Sequence, residues 1–240
     1  MKRSRLMENE CTPLTKDGLI NQLCHIYSGQ EACAVGIFSK MEKNDCAITS
    51  YRNHVWTHLL GATVSEVLAE CTGRSSGIVN GKSGTMHMYT DRFFGGNAML
   101  CGQVPNGAGI ALSMKQREYV TSGKGPLVLE LQEEYHGHYA GQNPKYPERD
   151  PIVELRQKLL ESELAEEKEL DFIDEMLAEH VREAVNIART DEFLPMDGLF
   201  TDVYHNTPNQ KIRDCISTKT PKYTQTTDLL NAIGKPRRKL

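Results

Sequence analysis

Tyr51-Arg52-Asn53-His54, the glycine-laden run Gly81-Lys82-Ser83-Gly84-Thr85-Met86-His87-Met88-Tyr89, and Gly95-Gly96-Asn97 with Gly102-Gln103-Val104-Pro105-Asn106-Gly107-Ala108-Gly109 decide how this chain is read. They set a Tyr-Arg pair, histidines and permissive backbone turns close together. Arginine offers a planar fork of donors for phosphate oxygens, and glycine lets the main chain approach a ligand. The combination suits a diphosphate-bearing cofactor. A Gly-Asp-Gly metal motif occurs nowhere in the 240 residues.

Working outward, composition permits a packed core: 39% of residues are hydrophobic and 25% charged, which argues against wholesale disorder. A net charge of −4 gives no reason to expect nucleic acid as a partner. The apolar runs are too short to span a bilayer. Seven cysteines show neither a Cys-x-x-Cys pair nor zinc-finger spacing. No secretory signal is evident, so reduced thiols in an intracellular compartment are expected. The start, Met1-Lys2-Arg3-Ser4-Arg5, is basic, but Glu8 and Glu10 follow, and it does not make a convincing transit peptide.

Local patterns predict the elements. Residues 16–41 read as helical, with Ser28-Gly29-Gln30-Glu31 as a capping box. Residues 46–50 read as a short strand delivering Tyr51 and Arg52. Thr63-Val64-Ser65-Glu66 is a second capping box, and Gly73 stops its helix. Residues 73–96 form a long glycine-rich connection, the kind that is usually functional or disordered. A strand over 98–101, a helix over 106–118 and a strand over 127–131 follow. From Ile152 the chain reads as helical, and Phe172, Ile173, Met176, Leu177, Val181, Ala184, Val185 and Ala188 mark a buried stripe. The expected division is an N-terminal extension (1–19), a cofactor-binding domain (20–217) and a flexible polar tail (218–240).

Several strings occur together in one order: His25-Ile26-Tyr27-Ser28-Gly29-Gln30-Glu31-Ala32, Ile48-Thr49-Ser50-Tyr51-Arg52-Asn53-His54, Leu68-Ala69-Glu70-Cys71-Thr72-Gly73-Arg74, 81–89, 94–111, Ser122-Gly123-Lys124-Gly125-Pro126-Leu127 and Tyr135-His136-Gly137-His138. Through them the chain resembles the alpha subunits of the decarboxylating component of the pyruvate dehydrogenase complex. The resemblance covers most of residues 20–215. It implies an α/β fold, a shortened thiamine diphosphate-binding domain with a parallel sheet flanked by helices and a helical C-terminal part. It also implies that Tyr51 and Arg52 contact the diphosphate and that His54 lies near the same site. The backbone around Gly102 and Val104 would face the aminopyrimidine, and His138 would sit on a loop over the reacting thiazolium carbon.

The implied reaction is oxidative decarboxylation of pyruvate, with transfer of the acetyl unit to a lipoyl group on the way to acetyl-CoA. The implied partners are a beta subunit, in a heterotetramer, and the lipoyl-bearing acyltransferase component. The implied location is the mitochondrial matrix. The beta subunit carries the glutamate that activates the cofactor in this family, so an alpha chain alone is expected to be inactive.

The sequence also departs from the family. The magnesium-binding Gly-Asp-Gly…Asn module is missing: Met114-Lys115-Gln116 runs into Arg117-Glu118-Tyr119, which resembles family sequence from well beyond it. No metal ligand is therefore assigned, and Arg52 alone faces the charge of a diphosphate, which predicts impaired catalysis. Val55 stands where the family has glycine, Glu134 where it has arginine, and Tyr139 where it has the serine whose phosphorylation switches members off. Two other readings stay open: a catalytically inactive homologue that pairs with a beta subunit, and an unstable product of altered splicing or of a faulty gene model. His25 and His87 are expected to be structural, and the pair His136 and His138 lacks a third metal ligand.

Overall fold

A computed structural model describes residues 1–116, 139–140, 150–196, 198, 201, 211–213 and 223–225. Seven helices are found among them: α1 (Lys2–Lys16), α2 (Glu31–Phe38), α3 (His54–Leu59), α4 (Val64–Cys71), α5 (Gln103–Gln116), α6 (Pro151–Glu161) and α7 (Glu167–Thr190). Residues 1–193 form one compact unit and 194–240 a second. In the second, β1 (Lys211–Arg213) pairs antiparallel with β2 (Tyr223–Gln225), Ile212 opposite Thr224.

The described part is mostly helical, and the expected parallel sheet is not found among the described residues. Its one parallel contact is a bridge between Ala47 and Phe93. Ala47 N–H donates to Arg92 O (3.0 Å), Phe94 N–H to Ala47 O (2.8 Å) and Thr49 N–H to Gly95 O (3.2 Å). Residues 46–50 thus run extended toward Tyr51 as expected, but pair too briefly to make a strand. The strand read over 98–101 is a set of turns, and α5 starts at Gln103. The strand read over 127–131 lies outside the described residues.

Residues 1–19, read as an extension, hold a core helix. Met7, Cys11 and Leu14 of α1 recur at helical spacing and are buried. This helix lies alongside α7 in the same direction, with Lys2 Nζ 2.9 Å from Asp174 near one end and Arg189 2.6 Å from Asp17 at the other. That geometry explains the α7 stripe. Leu177, Val181, Ala184 and Ala188 are buried, whereas Phe172 and Ile173, which precede the level of Lys2, are exposed, as is Met176.

The single helix predicted over 16–41 is instead α1, a connection and α2. Gly18 and Gly29 take positive φ, +72° and +101°, which a continuing right-handed helix does not contain. The Ser28 capping box does not form. Gln30 is the N-cap, without a side-chain bond, and the Ser28 hydroxyl is buried without a partner. Glu31 is taken instead by the guanidinium of Arg5 (Nη2–Oε2 2.9 Å) and by Gly29 N–H (2.9 Å). Arg5 also grips Asp150 at 2.7 Å, and Asp150 caps α6 by accepting from Ile152 N–H at 2.9 Å. One arginine so ties three helix starts together.

The Thr63–Glu66 capping box forms as predicted. At the other end of α4, Gly73 N–H reaches Glu70 O (3.1 Å) and Arg74 N–H reaches Ala69 O (2.8 Å), a Schellman ending with Gly73 left-handed at φ +71°. Arg74 then turns onto α7 and donates to its last carbonyls, Ala188 (3.0 Å), Arg189 (3.0 Å) and Asp191 (2.7 Å). Its guanidinium lies 3.9 Å from the centre of the Phe193 ring. Helix ends leave such carbonyls unsatisfied, and a cation there also meets the negative end of the helix dipole.

The glycine-rich connection has no ladder but is firmly organised. The fully buried carboxylate of Glu70 accepts from Val79 N–H (2.8 Å), Gly81 N–H (2.9 Å), Ser83 N–H (2.7 Å) and Gly84 N–H (3.2 Å), and from the Ser83 hydroxyl (2.9 Å). The chain winds around one anion whose lone pairs replace the missing sheet bonds.

Candidate functional site

The extended residues 46–50 and the start of α3 set Tyr51, Arg52, Asn53 and His54 in successive directions. Tyr51 is half-buried, with its ring 4.3 Å from that of His25 at 51°. His25 in turn lies 4.7 Å from Tyr139 at 57°. Tilted contacts of this kind suit the quadrupoles of aromatic rings. Arg52 is buried beside Tyr51, its guanidinium carbon 5.7 Å from the ring centre, and Nη1 donates to the Ile26 carbonyl.

Asn53 is the unexpected member. It is fully buried, yet neither its amide nitrogen nor its oxygen has a hydrogen-bond partner. A buried amide without a partner costs about 1–3 kcal/mol. Gly96 is pressed against it: a Cβ there would stand 2.3 Å from Asn53 Nδ2 and 2.6 Å from Met86 O. In the sequence Asn53 stands between Arg52 and His54, and nothing in that string signals an orphaned amide.

Gly102 and Val104 lie at the start of α5. Val104 is 56% exposed, its N–H donates to Cys101 O at 3.0 Å, and the Oε1 of neighbouring Gln103 is buried without a partner. His138 lies outside the described residues. The two residues after it are described, and they reach the same region: Tyr139 packs on His25, and Ala140 N–H donates to Cys24 O at 2.8 Å.

His54, which the resemblance puts near the same site, points into the interior. It opens α3 and is fully buried. Nδ1 lies 3.1 Å from Glu8 Oε2 and Nε2 lies 2.9 Å from Thr85 O. Both neighbours are acceptors, which requires both ring nitrogens to donate. Burial pushes the imidazole toward neutrality, but Cys71 and the Glu8 carboxylate outweigh it and hold the ring protonated well above its usual range. His58 goes the other way: burial lowers it, and its Nδ1 meets Ala62 O at 2.8 Å.

Comparison with known proteins identifies the family. Residues 1–121 match the family described as "Dehydrogenase E1 component". A probable mitochondrial pyruvate dehydrogenase E1 component subunit alpha of Caenorhabditis elegans is 35% identical, over 98% of this chain and 84% of its own length. The Ascaris suum type II subunit is 29% identical over 98% of this chain and 85% of its own length. The human somatic form is 29% identical over 89% and 80%. The nematode alignment spans 335 positions against a chain of 240 residues, so at least 95 of them (335 − 240) have no residue here. With a family match over residues 1–121 and a likeness that runs almost end to end, the chain belongs to the dehydrogenase E1 component family and is similar to pyruvate dehydrogenase alpha subunits.

Proposed function

We propose that the chain is an alpha-subunit-like component of pyruvate dehydrogenase, impaired in catalysis, that works in the mitochondrial matrix with a beta subunit and a lipoyl-bearing acyltransferase. The relatives' similarity over nearly the whole chain supports the role. The observation that carries the site is the buried, unsatisfied Asn53 amide next to Tyr51 and Arg52: an oxygen-rich ligand there would supply the missing partner. The single parallel bridge between Ala47 and Phe93 supports a shortened parallel sheet as the fold.

The residues present fit the diphosphate end of thiamine diphosphate. When bound, that cofactor supplies the carbon nucleophile and electron sink for decarboxylating a 2-oxo acid. Tyr51, Arg52 and Asn53 would hold the phosphate oxygens with a hydroxyl, a guanidinium and an amide. The main chain from Gly102 to Val104 would border the aminopyrimidine, and His138 would lie over the reacting carbon. His54 would position the start of α3 from below.

Impairment follows from charge. The sequence lacks the Gly-Asp-Gly string through which the family holds its magnesium ion. A diphosphate held without a divalent cation keeps charge that partly buried surroundings penalise. The missing positions of the relatives favour a second reading, a catalytically silent homologue that pairs with a beta subunit. Co-expression with a nematode beta subunit separates the two. Carbon dioxide release from pyruvate, weak and dependent on thiamine diphosphate, is expected. Stable pairing with no calorimetric binding of thiamine diphosphate and no turnover would leave the second reading.

A further inference from the structure

Three cysteines distant in sequence meet in the core. Cys11 on α1, Cys24 on the connection to α2 and Cys71 at the end of α4 are all buried. Each of their thiols interacts with the other two. His54 closes the group. Its Nε2 lies 3.7 Å from Cys71 Sγ, and its ligand atom and the sulfurs of Cys11 and Cys24 all fall within 4.8 Å of one another. In a tetrahedral zinc site, bonds of about 2.3 Å to sulfur and about 2.0–2.1 Å to nitrogen set neighbouring sulfurs about 3.8 Å apart and sulfur from nitrogen about 3.6 Å. The Cys71 sulfur–nitrogen distance of 3.7 Å is close to that edge.

We propose that Cys11, Cys24, Cys71 and His54 form a structural site for a soft divalent cation of the zinc type, clamping α1, α3, α4 and the α1–α2 connection together. Three thiolates and one imidazole are the donor set that zinc favours in closed structural sites. The outer contact is also in place. Glu8 holds Nδ1–H at 3.1 Å and leaves Nε2 facing Cys71 Sγ and Thr85 O, an orienting role that carboxylates play for metal-binding histidines. Binding forms three metal–sulfur bonds and one metal–nitrogen bond. Three thiol protons and the Nε2 proton leave to solvent, and nothing is oxidised or reduced. The Nε2–H bond to Thr85 O is exchanged for the metal bond, and the Nδ1–H bond to Glu8 is kept.

The ordinary alternative is that three small, apolar thiols simply fill space. The full chain, purified under reductant without chelator, decides between them by its zinc content and by cobalt(II) titration after metal removal. One equivalent of zinc is expected, with a thiolate-to-cobalt charge-transfer band and the intense visible bands of a tetrahedral centre. Glu8→Gln is expected to weaken cobalt binding about 10–100-fold. Cys71→Ser is expected to abolish the tetrahedral spectrum, and Cys46→Ser, outside the group, to leave it intact. Should the Cys71→Ser chain not fold, the titration of the parent chain still decides. A parent chain with native circular dichroism but neither bound zinc nor the cobalt bands overturns the proposal. So does a mass lowered by two hydrogens that maps to a disulfide within the trio.

Discussion

At the scale of single residues, Asn53 separates stability from binding. Its amide is buried and unpartnered, so the folded chain carries a desolvation cost that a ligand would relieve. Asn53→Leu, close in shape and without polar atoms, is expected to leave the cofactor-free chain as stable as the parent or about 1 kcal/mol more stable. The same change should remove the rise in melting temperature on adding thiamine diphosphate. Differential scanning fluorimetry with and without the cofactor checks both halves. A clear loss of stability in the cofactor-free chain would mean that the amide already has a partner. At this scale the sequence is readable where neighbours in the chain meet, as where Arg52 lies beside the Tyr51 ring. It was silent on Asn53, because an unsatisfied atom is defined by what lies around it in space.

Among elements, the junction between α4 and α7 offers the sharpest expectation. Arg74 serves three α7 carbonyls and covers Phe193. Arg74→Ala is expected to cost about 2–4 kcal/mol in urea unfolding, because it strands several acceptors at once. Arg74→Lys should recover only part of that, since a single ammonium cannot copy the fork. Equal stability of the lysine and arginine forms would show that charge alone matters here. Helix ends written in local chemistry, Thr63–Glu66 and Gly73, could be read from sequence. The Ser28–Glu31 box could not, because Arg5, 26 residues upstream of Glu31, claims the carboxylate that the box requires. The α7 stripe was legible as a pattern, but where burial stops along it depends on where α1 lies.

For the whole molecule, acid–base linkage sets a direction. Burial and the Cys71 and Glu8 neighbours act on His54 with a net raised pKa, so its contribution is complete below about pH 6.5 and is lost as pH climbs through the folded value. The thiols act in the same sense. Cys71 is pushed up to about 11, chiefly by the neighbouring Cys11 thiol, with burial adding to it. Unfolded thiols ionise from about pH 8.5, while this one stays neutral in the fold. The metal-free chain is therefore expected to lose stability as pH rises from about 6.5 to 11, through His54 first and through Cys71 from about pH 8.5. Urea midpoints across that range test it, and His54→Gln should flatten the lower part of the slope. A midpoint that rises with pH would contradict the sign. This convergence of positions 8, 11, 24, 54 and 71 was hidden from the sequence, since no short spacing joins them and only the packing of α1 against its neighbours brings them together. For the same reason α1 read as an appendage rather than as core.

The wrapping of residues 79–84 around Glu70 has a consequence for how this chain tolerates change. The carboxylate takes hold of main-chain N–H groups, which are alike in every residue but proline. Mutational drift among the gathered side chains leaves that grip in place as long as the backbone can follow the same path. Substitution of the acid itself releases four amides and a hydroxyl together. The constraint is concentrated on one helical acid and, among the residues it gathers, on Gly81 and Gly84, whose φ of +73° and +64° and crowded Cβ positions exclude larger side chains.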